Sequence, residues 1–153
     1  MPMIVEAAFT MLACARIGAI HSVVFGGFAP KEVAQRIDNM APKLIVTASY
    51  GLEPNKKIPY PPIIDEAIRL CKNPEASKLK VLIKQRKNLV IKDLAPVSHD
   101  YDDLIGQERT IAMAVPLDSS HPLYILYTSG TTGTPKGIVR DTGGTTVALH
   151  YAC

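Results

Sequence analysis

A short apolar run, Leu-Tyr-Ile-Leu-Tyr at residues 123–127, breaks without transition into hydroxyls and glycines: Thr128-Ser-Gly-Thr-Thr-Gly-Thr-Pro-Lys-Gly137. The run is rich in β-formers and predicts a strand. Ile138 and Val139 follow the loop and predict a returning strand. Between the two, each residue type contributes something an anion needs. Glycines let the backbone approach closely and present N–H groups. Serine and threonine add O–H donors, and Lys136 adds a mobile positive charge. A strand, this loop and a second strand therefore predict a phosphate grip, with a ligand-free polar hairpin as the alternative.

Spacing decides between the known kinds of grip. A Walker A loop requires Gly-x-x-x-x-Gly-Lys-Ser/Thr. Five residues beyond Gly130 stands Pro135, and Lys136 is followed by Gly137, so that reading fails, and a kinase-like or Walker nucleotidase with it. The dinucleotide fingerprint Gly-x-Gly-x-x-Gly fails as well, because Gly130 is followed by Thr131, Thr132 and Gly133.

Composition narrows the class further. With 153 residues, 47% hydrophobic and 20% charged, the chain is ordinary globular material, enough for one domain or part of one. The net charge of +3 is small and scattered, which gives no footprint for nucleic acid. Cys14, Cys71 and Cys153 are widely spaced and odd in number, against a disulfide framework or zinc site and in keeping with a reducing compartment. Residues 3–15 are largely apolar, but no basic residue precedes them and Glu6 and Thr10 interrupt them. Neither a signal peptide nor a membrane span is expected there, and no transit peptide is visible. His21, His99, His121 and His150 have no metal-ligand spacing and are expected to be structural or exposed.

Taken in order, the chain predicts an α/β fold with a mainly parallel sheet and flanking helices. Residues 5–17 carry apolar positions at helical spacing, with Gly18 as the C-terminal cap. Residues 19–25 read as a buried strand, and Gly26-Gly27-Phe28 as a turn. A helix is expected over 30–39, with Pro30 at its first position. A strand is expected over 44–47, joined to the first by a parallel, right-handed crossover. Residues 50–62, with four prolines, read as a loop. Further expected elements are a helix over 64–71 stopped by Asn73-Pro74, strands over 79–83 and 89–91, and a short helix over 101–107. A polar connector at 116–122 delivers the chain into the loop. Cys14 is expected in the core.

The ten residues 128–137 match at every signature position the phosphate loop of the adenylate-forming enzymes, a family that includes acyl-CoA synthetases, luciferases and peptide-synthetase adenylation domains. A second stretch, Met11-Leu-Ala-Cys-Ala-Arg-Ile-Gly-Ala-Ile-His-Ser-Val-Val-Phe-Gly-Gly-Phe28, resembles acetyl- and propionyl-CoA synthetases, as does Pro2-Met-Ile-Val-Glu6. The ending, Arg140-Asp-Thr-Gly-Gly144 with Ala148-Leu-His-Tyr151, is similar to the propionyl-type branch. The resemblance covers essentially the whole chain. It implies a short-chain acyl-CoA synthetase that activates acetate or propionate with ATP to an acyl-adenylate, then to acyl-CoA, releasing pyrophosphate and AMP. A non-catalytic ATP- or CoA-binding piece and a different adenylate-forming ligase remain as alternatives.

The same resemblance implies roles for residues. Thr128, Ser129, Gly130, Thr131, Thr132, Gly133 and Lys136 would hold the β- and γ-phosphates of ATP, with the Thr132 hydroxyl near Mg²⁺. Phe25, Gly26 and Gly27 would lie by the nucleotide of CoA, or serve only as a turn. Acetyl-CoA synthetases carry an Arg-Gly-Gly-Arg stretch for the CoA phosphates. Here Glu53-Pro-Asn-Lys56 stands in its place, where Lys56 or Lys57 supplies a charge and Glu53 repels phosphate. Residues 1–153 would be part of the large N-terminal AMP-binding domain. The acyl pocket, the adenine and ribose contacts, the hinge and the small C-terminal domain with its catalytic lysine would lie outside this sequence. No complete catalytic set is therefore expected within it. The resemblance points to the mitochondrial matrix, with the cytoplasm as the alternative; neither acetate versus propionate nor the oligomeric state follows from these residues.

Overall fold

The structure, a computed structural model, describes residues 1–54, 56–92, 95, 97–128 and 135–152. In chain order its elements are α1 (Val5–Ile17), α2 (Pro30–Met40), β1 (Leu44–Ala48), β2 (Tyr50–Glu53), β3 (Lys56–Pro59), α3 (Pro61–Leu70), β4 (Lys80–Lys84), β5 (Ser98–Asp100), α4 (Tyr101–Gln107), β6 (Pro122–Thr128), β7 (Lys136–Asp141) and α5 (Thr142–Ala152). They fall into two compact units. One comprises residues 1–4 and 24–109, the other residues 5–23 and 110–153.

The first unit is built on a parallel sheet in the order β1–β4–β5. Parallel neighbours need a crossover, and α3 lies in the one between β1 and β4. Leu44 pairs with Lys80 and Ala48 with Lys84. The central strand is buried as such strands require: Val81 and Ile83 are each 1% exposed. Helix α2 turns Val33, Ala34 and Ile37 inward, the i, i+1, i+4 pattern of one helical face. There they meet Ala67 of α3 together with Ala76 and Leu79, and Val24, Phe28, Ile45, Ile64, Ile68 and Cys71 pack around them. All described buried hydrophobic residues belong to this unit.

Asp38 of α2 links two pieces of this unit. Its carboxylate accepts the backbone N–H groups of Lys72 (3.0 Å) and Asn73 (3.1 Å) beyond the end of α3. Those bonds hold its pKa below the ordinary 3.8. A carboxyl whose folded pKa is depressed contributes stability above its unfolded pKa and loses it as pH falls through the folded value. Asp38→Asn should therefore lower the urea midpoint at neutral pH. The gap from the parent should narrow as pH drops below 3.8, and a gap that does not shrink with falling pH would contradict this role.

The second unit holds α1, the antiparallel hairpin β6–β7 and α5. Gly18 closes α1 at φ +72°, where a side chain would be strained and would also meet Leu117. The Arg16 carbonyl accepts the N–H of Val115 at 2.9 Å, and Arg16 Nε donates to the Ala112 carbonyl at 2.6 Å.

Several expectations are corrected. Residues 19–25 form no strand; His21 makes one isolated bridge, its N–H donating to Leu123 O (3.2 Å) and its carbonyl accepting from Ile125 N–H (2.9 Å). The stretch straddles the two units, so the expected crossover from it to β1 does not form; the parallel partner of β1 is β4. Within the expected loop, residues 50–53 and 56–59 pair as a hairpin, β2–β3. Pro59 sits at its last pair, opposite Tyr50, where a missing N–H is tolerated. Helix α3 starts at Pro61, earlier than expected, because prolines at the first two positions lose no bond. Residues 89–91 form no strand: the Gln85 side-chain amide takes the ladder's place, bonding both N–H and C=O of Ile91 at 3.0 Å. The short pairing strand is β5 instead. Cys14 is only half-buried, on a helix with no buried residue. Helix α5 was not expected over a Gly143-Gly144 start; the Asp141 carboxylate caps it by accepting from Gly144 N–H.

Candidate functional site

The antiparallel pairing of β6 with β7 runs from Pro122 opposite Asp141 to Thr128 opposite Lys136. Leu123, Tyr124 and Ile125 are half-buried, and β7 is exposed throughout. Thr128 is the last residue of β6 and Lys136 the first of β7. The two face each other across the mouth of the hairpin. Gly137 keeps the hairpin tight: a methyl there would lie 3.0 Å from Ile125 Cγ2. Lys136 is exposed at this mouth. Of the residues expected to hold phosphate, the structure thus pairs Thr128 with Lys136. Ser129, Gly130, Thr131, Thr132 and Gly133 lie outside the described residues.

Below the mouth, His21 and Ser22 bind β6. The Ser22 hydroxyl donates to Ile125 O at 2.7 Å, and the His21 ring lies 5.8 Å from that of Tyr124. Burial pushes the His21 pKa down, and its Nδ1 is buried without a partner. At the other end, His121 Nε2 lies 3.1 Å from Gly18 O. These two histidines sit in the frame of the hairpin. An open groove of about 410 Å³ is lined by Ser119, Ser120, Asp141, Gly143, Gly144 and Val147. Its helix N-terminus is already occupied by Asp141, whose negative charge makes it unsuitable for phosphate.

The residues expected near CoA belong to the first unit. Phe25, Gly26 and Gly27 form the turn before α2, with Phe28 N–H donating to Phe25 O at 3.3 Å. Lys56 opens β3, exposed, directly opposite Glu53. Three further residues organise this edge and had no motif to announce them. Ser49, wholly buried, donates its N–H to Lys84 O (2.9 Å), accepts Arg86 N–H on its hydroxyl (3.0 Å) and accepts Tyr60 N–H on its carbonyl (3.3 Å). It thereby joins the carboxyl ends of β1 and β4 to the start of α3. Arg86 stacks 4.2 Å from the Tyr50 ring and donates to Tyr50 O at 2.8 Å. The phenol of Tyr60 lies beside both Gly26 and Gly51. Ligand sites in parallel α/β sheets gather at such carboxyl ends.

Among the described residues no group of three His, Cys, Asp or Glu side chains is placed to hold a metal, and no helix is long and apolar enough to cross a membrane.

Comparison with known proteins agrees with this architecture. The human protein acyl-CoA synthetase short-chain family member 3, mitochondrial, is 50% identical over 153 residues, which cover 99% of this chain and 22% of that protein. The acetyl-coenzyme A synthetase of a gamma-proteobacterium is 43% identical over 152 residues, 99% of this chain and 23% of that one. The chain thus spans about a fifth of the length of the curated relatives it matches. Among solved structures, the acetoacetyl-CoA synthetase from Streptomyces lividans superposes with a TM-score of 0.79 at 25% identity, over 95% of this chain and 21% of that one. The profile of the AMP-binding enzymes matches residues 1–153, and the chain belongs to that family.

Proposed function

We propose that residues 1–153 are part of the large N-terminal domain of a short-chain acyl-CoA synthetase and supply its triphosphate grip. In the intact enzyme a carboxylate oxygen of acetate or propionate attacks the α-phosphorus of MgATP, and the bond to the pyrophosphate oxygen breaks. The CoA thiolate then attacks the acyl carbon, and AMP leaves. The observation that carries this reading is the pairing of Thr128 with Lys136 at the mouth of β6–β7, which sets a hydroxyl and an ammonium on either side of a Ser/Thr/Gly loop. Negative charge grows on the departing pyrophosphate, and groups held beforehand around it stabilise that charge. We assign Lys136 and the loop residues 128–133 to this task, and the Thr132 hydroxyl would help hold the magnesium that arrives with the nucleotide. The mitochondrial address in the human relative's name supports the same compartment here.

The test is isotope exchange between pyrophosphate and ATP, catalysed by the intact protein and dependent on added acetate or propionate. The ratio of kcat/KM for the two acids identifies the preferred one. Residues 1–153 alone are expected to show no exchange. ATP binding by the intact protein without exchange for either acid would replace this reading with that of a nucleotide-binding module.

A further inference from the structure

Tyr60 occupies an unusual position for a residue between a strand and a helix. Its N–H donates to Ser49 O at 3.3 Å, and its carbonyl accepts Ile64 N–H at 3.0 Å in the first turn of α3. The backbone is therefore held from both sides. The phenol enters a slot between two glycines distant in sequence. A methyl added at Gly26 would lie 2.1 Å from the phenolic oxygen, and one at Gly51 would lie 2.0 Å from it. Both distances are below any real contact, so neither position admits a side chain while the ring is in place. Gly26 belongs to the turn Phe25-Gly26-Gly27, and Gly51 to β2, whose partner β3 begins with Lys56. One aromatic ring thus couples the turn to the hairpin. The second clamp on that hairpin, half-buried Arg86 on Tyr50, lies at the buried start of β2, next to Ser49.

We infer that Tyr60 is a positioning residue for thioester formation: its phenol, seated between Gly26 and Gly51, fixes the Phe25-Gly26-Gly27 turn relative to the hairpin bearing Lys56, so that the two meet the nucleotide portion of CoA as one surface. This rests on the thioester-forming step proposed above and on the expectation that Phe25, Gly26, Gly27 and Lys56 lie by CoA. It also accounts for Gly26, which has to be glycine to admit the ring.

In the intact enzyme, Tyr60→Ala should raise KM for CoA about tenfold, with KM for ATP and the rate of pyrophosphate exchange within about twofold of the parent. Tyr60→Phe keeps the ring and should restore KM for CoA to within about threefold. Gly51→Ala is the second variant: it leaves Tyr60 intact but expels it from the slot, and should reproduce the rise in KM for CoA without touching the turn itself. An unchanged KM for CoA in both Tyr60→Ala and Gly51→Ala, with exchange intact, overturns the positioning role and leaves the adenylation reading standing. A parallel rise in KM for ATP and CoA also overturns it, since that is the mark of general loosening. Absence of exchange in the parent enzyme removes the proposed function and this inference together.

Discussion

Lys136→Ala in the intact enzyme should slow acid-dependent pyrophosphate exchange by about 10²–10³-fold, the cost of removing one preorganised donor from a site where charge develops. Lys136 opens β7 and pairs with Thr128 at the close of β6, so its ammonium is delivered to the mouth of the loop by a strand and not by a mobile segment. Under the proposed assignment this group would stabilise the charge forming on pyrophosphate more than bound ATP, and the loss should fall on kcat rather than on KM for ATP. The second half-reaction, CoA thiolate attacking preformed acyl-adenylate, involves no pyrophosphate and should be nearly untouched. Lys136→Arg should recover part of the rate, because the charge returns with a different reach and geometry. A rise in KM alone would reduce Lys136 to an anchor for ATP, and equal losses in both half-reactions would remove its assigned role.

The strands on either side of that loop, β6 and β7, were legible in the sequence because a run of β-formers and a returning apolar pair need no tertiary information. The helices α1, α2 and α4 were legible for the same reason, through helical spacing, Pro30 at a first turn and Asp100 as an N-cap accepting from Asp102 and Asp103. What failed depended on partners remote in the chain. An apolar β-branched run at 19–25 looks like a strand, yet a strand exists only through its ladder, and His21 alone found a bridge. Ile91 lost its ladder to the side chain of Gln85, a substitution no periodicity reveals. The prolines at 54 and 59 masked a hairpin because their cost depends on whether the missing N–H would have faced a partner. At the edge expected to meet CoA, the resemblance named the turn and Lys56, while Tyr60, Ser49 and Arg86 emerged only once Gly26, Gly51 and the ends of β1 and β4 were brought together.

A polypeptide of residues 1–153 should show sharply divided amide exchange: slow in β1 and β4, and close to unprotected rates in α1, α5 and the β6–β7 hairpin. Ordering a residue costs on the order of 1–2 kcal/mol of backbone entropy, and burial of apolar surface returns roughly 25 cal/mol per Å². Within the first unit that return exists, since Val81, Ile83, Ala67 and Leu79 are nearly inaccessible. In the second unit it is small. Helix α1 leaves Val5, Phe9 and Leu12 65%, 58% and 68% exposed, and α5 leaves Val147 and Leu149 57% and 60% exposed. No residue of α1, α5 or β7 is buried. Isolated helices of 13 and 11 residues are marginal in water, and a lone two-stranded hairpin is no better. The apolar side chains of this unit should bind a hydrophobic dye in the short polypeptide, and both the dye binding and the rapid exchange should disappear in the intact enzyme. Slow exchange in α1 matching that in β4, measured on residues 1–153 alone, would show that the second unit is stabilised by contacts of its own, and would contradict the proposed need for the rest of the domain.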